Sequence, residues 1–116
     1  MDTTKMTQNS GFTLAVCAEM VFQDLPILDR VHEISSRGFA VEIWDWTRHD
    51  IDALAASGAN FSSMTGYIRG TLADDTGADE LLLTAAESIP VAKRLGIPRL
   101  NLHGTGLDSN GLPVKP

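Results

Sequence analysis

The chain has 116 residues and a formal net charge of −6, which fits one domain and argues against nucleic acid or an anionic membrane surface as a partner. Its single cysteine, Cys17, excludes an intramolecular disulfide and is typical of a reducing compartment. No apolar run approaches the roughly 20 residues that span a bilayer. The apolar patch from Phe12 to Ala18 is followed at once by Glu19, unlike a signal peptide. We therefore expect a cytoplasmic protein that does not contact a membrane.

The N-terminal third predicts a polar leader, a strand and a helix. Residues 1–11 are polar and without periodicity, so we expect a disordered lead-in there. Alternating apolar side chains predict a first strand from Phe12 to Ala18. A helix is expected from about Leu25 to Arg37, with Asp24 as its N-cap and Gly38 as its stop.

The middle of the chain predicts a second strand, a short helix and a third strand. The second strand is expected from Phe39 to Trp44. The short helix opens at Thr47 or Asp50 and ends at Gly58. The third strand, expected from Asn60 to Met64, has the weakest pattern because two serines interrupt its apolar positions.

The last part predicts a long loop, a third helix and a fourth strand. Residues 65–77 are polar and contain glycine, and they form an unusually long connection from strand to helix. The helix is expected from Asp79 to Leu95, and Pro90 should kink or split it. Its inward stripe is expected to consist of Leu82, Ala86 and Ile89. The fourth strand is expected from Arg99 to His103.

In each predicted strand, apolar side chains alternate with polar or small ones, so one face of the sheet suits helices and the other does not. A TIM (β/α)8 barrel has this arrangement, with helices outside and polar groups inside near the carboxyl ends of the strands. A complete barrel takes about 250 residues. We therefore predict an α/β fold: a partial TIM barrel with its first four parallel strands in the order 1-2-3-4 and three helices on one face. The half barrel is expected at 12–106 and an irregular C-terminal tail at 107–116.

Three segments carry a family resemblance: Phe39-Ala-Val-Glu-Ile-Trp-Asp-Trp46, Ser62-Ser-Met-Thr-Gly-Tyr-Ile-Arg-Gly70 and Pro98-Arg-Leu-Asn-Leu-His-Gly104. They resemble the hydroxypyruvate isomerase-like branch of the xylose isomerase-like TIM barrels, and the resemblance extends roughly from Phe12 to Val114. A Gly-Phe-x-x-Val-Glu second strand marks the superfamily, whereas the branch is assigned on overall similarity.

The resemblance implies 1,2-proton transfer on small hydroxy-carbonyl compounds through an enediol. In that family a pair of Glu residues performs the transfer, and many members hold Mg²⁺ or Mn²⁺ through Glu, Asp and His. Those groups lie on strands five to eight, so the catalytic residues are expected beyond residue 116 and no metal ligand is predicted in this chain. The chain alone is then expected to be an inactive fragment of an isomerase. A ketose epimerase on the same scaffold and a non-catalytic remnant that associates with another chain are the alternatives.

Five residues are candidate substrate-binding groups because they lie near the expected carboxyl ends of strands or on the long loop: Glu42, Trp44, Tyr67, Arg69 and His103. Each has a structural alternative. Glu42 either faces substrate or pairs with Arg69 or Arg99, and Trp44 either walls a pocket or packs. Arg69 either clamps a carboxylate beside Tyr67 or faces solvent, and His103 either binds substrate or is satisfied by the backbone.

A half barrel also leaves unpaired strand edges. The first and fourth strands would each lack one neighbour, which favours association between chains. The inward face would be open to water, with Ala15, Cys17, Trp44 and Met64 exposed. We therefore expect self-association through the strand edges.

Overall fold

Four parallel strands form one sheet in the order β1-β2-β3-β4, which confirms the predicted strand order. The computed structural model describes residues 11–103 and 105–114. The strands are β1 (Ala15–Cys17), β2 (Ala40–Ile43), β3 (Phe61–Thr65) and β4 (Arg99–Asn101). Of the lead-in expected at 1–11, residues 1–10 lie outside the described residues. In β1 the regular pairing is shorter than predicted, and Phe12, before the strand, is 75% exposed.

The first two helices differ in the residue that precedes their first turn. Helix α1 spans Ile27–Ser36 and α2 spans Ile51–Ala56, with a 3₁₀ turn at Trp46–Arg48 before α2. Asp50 accepts from the Ala53 N–H at 3.1 Å, so it is the N-cap of α2. The prediction that Asp24 caps α1 is wrong: Pro26 occupies that position and makes no side-chain cap.

The third helix, α3, is continuous over Asp75–Leu95. It begins four residues earlier than predicted because Asp74 caps it, accepting from the Gly77 N–H at 2.6 Å. The predicted split at Pro90 is wrong, because proline removes only one helical N–H there and both Pro90 and Ala86 lie on the exposed side of the helix. The segment ends at Gly96, whose φ of +68° is the usual left-handed cap.

One apolar core joins all three helices to one face of the sheet. Helix residues and strand residues share a single buried cluster, whose main members are Val31, Ile34, Leu54, Ala92, Leu95, Val41, Ile43, Phe61 and Met64. The side chains that alternate with these strand residues therefore lie on the opposite, helix-free face. This is the partial barrel arrangement, with its helices on one side. No helix in the described part of the chain has the length and apolarity to cross a membrane.

A bulge in β3 makes one face assignment wrong. Val41 pairs with Phe61, but Glu42 pairs with Ser63, so Ser62 is an extra residue on β3. This shift brings Met64 beside Ile43 and into the core, where it is 0% exposed. Met64 was expected on the open face, as an unbulged register would place it.

The burial of α3 is also different from the prediction. Leu82 and Ile89 of the expected inward stripe are 66% and 45% exposed. The buried face is instead built from Leu81, Thr84, Ser88, Ala92 and Leu95. The hydroxyls of Thr84 and Ser88 can be buried because each forms hydrogen bonds with other protein groups.

The segment expected to be an irregular tail contains a small turn. Leu107 forms an antiparallel bridge with Pro113, and Asp108 accepts from the backbone N–H groups of Asn110 and Leu112. Its apolar side chains, Leu107 and Leu112 among them, are exposed.

Candidate functional site

Polar and aromatic side chains follow each strand at the carboxyl edge of the sheet. They are Glu19 after β1, Trp44 after β2, Tyr67 after β3 and His103 after β4. Because the strands are parallel and neighbouring, these residues share one rim. The rim is the place where a (β/α) barrel builds its site, so we take it as the candidate functional site.

Glu19 is the most connected side chain of the rim. Its Oε1 accepts from the Trp44 backbone N–H at 2.9 Å and lies 2.8 Å from Nε2 of His49. Its Oε2 accepts from the Cys17 thiol at 3.3 Å. An ionised carboxylate only accepts hydrogen bonds, so Nε2 of His49 carries the proton that it donates. Glu19 therefore ties the end of β1 to the segment after β2.

The surroundings keep Glu19 ionised and Cys17 neutral. Partial burial alone would disfavour the charge of Glu19, but hydrogen bonds from His49, the Trp44 N–H and Cys17 outweigh it and lower the pKa of this carboxyl. Burial and the hydrogen bond to Glu19 raise the pKa of the Cys17 thiol to about 11. Glu19 is thus a weak proton acceptor and Cys17 a weak nucleophile at neutral pH. The arrangement positions the rim rather than performing proton transfer.

This lowered pKa makes a prediction for stability against pH. A carboxyl whose folded-state pKa is lowered stabilises the fold fully above the ordinary Glu pKa of about 4.3, and loses that contribution as the pH falls through the lower folded value. The stability difference between the wild type and Glu19→Gln should therefore be largest near neutral pH and shrink below about pH 4. Urea unfolding at a series of pH values measures it. A difference that stays constant down to about pH 3 would contradict the proposed ionisation of Glu19.

Glu42 lies on the helix-free face, in register between Cys17 and Ser63 on the neighbouring strands. Its side chain is partly buried, beside the bulge that shifts the register. The structural alternative of an ion pair with Arg69 is wrong, because Arg69 Nε instead lies 3.0 Å from Glu80. Within residues 11–103 and 105–114, Glu42 forms no ion pair with Arg99 either. A carboxylate is thus left available on the face that a barrel would enclose.

The two tryptophans after β2 have different environments. Trp44 is 51% exposed, and its backbone N–H donates to Glu19. Trp46 is largely buried, and its indole N–H donates to Ser88 at 2.9 Å. Trp44 is thus the tryptophan that can contact a ligand, and Trp46 is a packing residue.

Tyr67 and His103 approach each other across the rim. Their rings make an edge-to-face contact with centroids 5.9 Å apart and an interplanar angle of 83°. His103 is exposed, whereas Tyr67 is partly buried. Arg69 stands apart from this pair, since its guanidinium is occupied by Glu80. Of the five predicted candidates, the structure brings Tyr67 and His103 into contact and directs Arg69 elsewhere.

Hydrogen bonds from Thr84 of α3 fix the backbone of the loop after β3. Thr84 Oγ1 accepts from the N–H groups of Ile68 and Arg69 at 3.1 and 3.3 Å, and donates to the Arg69 carbonyl at 3.0 Å. Ser88 Oγ donates to the Thr84 carbonyl at 2.8 Å while it accepts from Trp46. These partners explain why two hydroxyls occupy the buried face of α3.

Sequence reasoning missed the Glu19–His49 pair. Glu19 carried a usable signal, since a carboxylate directly after an apolar strand belongs to the carboxyl edge. His49 carried none, because it follows a 3₁₀ turn that the sequence pattern did not predict. The described residues contain no group of three or more His, Cys, Asp and Glu side chains arranged to hold a metal ion. The residues present therefore do not fit the divalent cation that the resemblance implies.

Comparison of the chain with protein-family models, curated proteins and solved structures finds no match.

Proposed function

We propose that this chain forms the N-terminal half of a barrel enzyme that isomerises small hydroxy-carbonyl compounds, in the manner of hydroxypyruvate isomerase-like proteins. The observation that supports the proposal is the helix-free sheet face, which carries an unpaired Glu42 below a rim of polar and aromatic groups. A barrel encloses this face, and its substrate meets the carboxyl ends of the strands. Since Cys17 is a free thiol, we also propose a cytoplasmic location.

In this proposal the chain binds and orients substrate, and proton transfer is performed by groups from the other half of the barrel. Glu42 offers an acceptor to a substrate hydroxyl, and Trp44 and the Tyr67–His103 pair offer an apolar wall with polar edges. Glu19 holds Trp44 in place through its backbone N–H. Any metal ion would likewise take its ligands from strands five to eight.

The other half would pair with the outer edges of β1 and β4. Among the residues that the structure describes, each of these strands pairs with one neighbour in the sheet, so each has an outer edge that a further strand can join. Self-association through the same edges is the alternative use of them. The partner half and a second copy of this chain would then compete for the same surface.

Complementation tests the proposed function. The 116-residue chain alone should not convert hydroxypyruvate to tartronate semialdehyde, since loss of an acid or base costs about 10²- to 10⁴-fold and both are expected elsewhere. Co-expression with strands five to eight of a hydroxypyruvate isomerase should give a complex that turns the substrate over. Proton NMR with added Mg²⁺ or Mn²⁺ follows the reaction.

A variant pair makes the test specific to the proposed site. In the complemented complex, Glu42→Gln should lower kcat/KM by about tenfold or more, because it removes a charged hydrogen-bond acceptor from the enclosed face. Glu87→Gln, on the exposed side of α3, is the matched control and should leave turnover unchanged. A complex that epimerises a ketose instead would support the epimerase alternative. A stable complex without turnover on either substrate would support the non-catalytic one.

A further inference from the structure

Helix α3 has an apolar stripe on its solvent side. The stripe, which we call the outer stripe, consists of Leu82, Leu83, Ala86, Ile89 and Pro90. At 3.6 residues per turn these five side chains fall on one side of the helix, within about 60° of Ala86. Leu82 and Leu83 are 66% and 59% exposed, which is unusual for two adjacent leucines.

Two charged residues extend the outer stripe at its ends. Asp79 lies seven residues before Ala86 and Lys93 lies seven residues after it, so both are two turns away and on nearly the same side. In the described part of the chain neither has an ion-pair partner. The flanking charges of α3 differ in this respect: Glu80 pairs with Arg69, and Arg94 lies 3.6 Å from Asp52. Asp79 and Lys93 are thus available for ion pairs at the two ends of the apolar surface.

We propose that the outer stripe is a docking surface for a second copy of this chain, with the two α3 helices packed antiparallel about a two-fold axis at Ala86. In this register Asp79 of each copy faces Lys93 of the other. Leu82 meets Ile89, and Leu83 meets Pro90, so each apolar side chain has an apolar partner. Ala86 lies at the crossing point, where a small side chain allows the helices to approach closely.

The symmetry of the charges favours a second copy over an unrelated helix. The acidic end and the basic end of α3 are equidistant from the central alanine, which is the condition for a self-complementary interface. Antiparallel packing also sets the N-terminal end of each helix dipole beside the C-terminal end of the other. The interface does not use the edges of β1 and β4, to which the proposed function assigns the other half of the barrel.

Charge reversal tests the register. Sedimentation velocity over a concentration series should show a monomer–dimer equilibrium for the 116-residue chain. Asp79→Lys and Lys93→Asp should each weaken dimerisation by about tenfold or more, because each places like charges opposite one another twice in the dimer. The double variant Asp79→Lys/Lys93→Asp should recover the wild-type dissociation constant to within about threefold. Lack of recovery would overturn the register.

Two further variants separate this interface from strand-edge association. Leu82→Glu should weaken the dimer by about a hundredfold or more, since two leucines lose apolar burial at once. Leu112→Glu is the matched control: it is 61% exposed, lies outside the stripe and should leave the dimer unchanged. Circular dichroism confirms that both variants fold. A dimer insensitive to Leu82→Glu, or a monomer at every concentration, would overturn the proposal.

Cross-linking locates the axis independently. In a Cys17→Ser background, Ala86→Cys places one thiol of each copy at the two-fold axis. Mild oxidation should then give a covalent dimer, whereas Leu112→Cys in the same background should remain monomeric on a denaturing gel. Equal cross-linking of the two variants would show that the contact is non-specific.

Discussion

Glu19→Ala is expected to lower the free energy of unfolding by about 3 kcal/mol at neutral pH. The substitution removes an acceptor that serves three donors: the Trp44 N–H, Nε2 of His49 and the Cys17 thiol. The His49 side chain is only 8% exposed, so water cannot readily replace its lost partner. Each buried donor left without an acceptor costs about 1–3 kcal/mol, less where water can enter.

Urea unfolding followed by tryptophan fluorescence measures this loss, since the Trp44 N–H donates to Glu19 and Trp46 lies partly buried against the core. The matched control is Glu80→Ala, which removes an exposed carboxylate from its ion pair with Arg69. Exposed pairs contribute about 0–1 kcal/mol, so this variant should remain close to wild type. If the two variants lose similar stability, Glu19 does not have the structural role assigned to it.

Gly70→Ala is expected to have the other large effect, a loss of more than about 3 kcal/mol or failure to fold. Gly70 has φ of +106°, where a side chain is strained. A Cβ added there would also lie 2.5 Å from the Gly77 carbonyl oxygen and 2.6 Å from Leu81 Cα. These are backbone atoms at the start of α3, so they cannot move aside without displacing the helix.

Gly58→Ala is the control for backbone strain alone. Gly58 has φ of +75°, but an added Cβ there meets nothing within 4 Å. Its loss should be about 1–2 kcal/mol, the cost of a left-handed alanine. Thermal unfolding of the two variants separates strain from collision. A Gly70→Ala variant no less stable than Gly58→Ala would show that the loop moves freely away from α3.

The fold was largely predictable because strand order and helix positions depend on local patterns. Apolar alternation located all four strands, and Asp50, Gly38 and Gly96 mark the helix boundaries as capping chemistry predicts. Parallel order follows from helices placed between successive strands. The ends of the outer strands were less predictable, because a strand that pairs on one side ends where its single neighbour ends.

The wrong assignments arise from interactions that are distant in sequence. Met64 is buried because one extra residue in β3 shifts the register against β2, and no local pattern marks that bulge. The inward side of α3 was misassigned because its more apolar stripe faces outward. Thr84 and Ser88 can face inward only because Arg69 and Trp46 supply their hydrogen bonds from other segments.

The candidate site was predictable in its location and less so in its members. Parallel strands place Trp44, Tyr67 and His103 on one rim, and the sequence selected all three. Arg69 lies outside the site because it pairs with Glu80, and His49 belongs to the site because it contacts Glu19. Both outcomes depend on which loop residue approaches which helix or strand end, and neither has a signature in the sequence.

Through the hydroxyls of Thr84 and Ser88, α3 is hydrogen-bonded to two separate parts of the rim. Thr84 holds the backbone of the loop after β3, and Ser88 holds the indole of the segment after β2. These two rim segments are thus fastened to a common support one helical turn apart. A small shift of α3 along its axis would therefore move both rim segments in the same direction. The position of this one peripheral helix therefore sets the positions of both rim segments together.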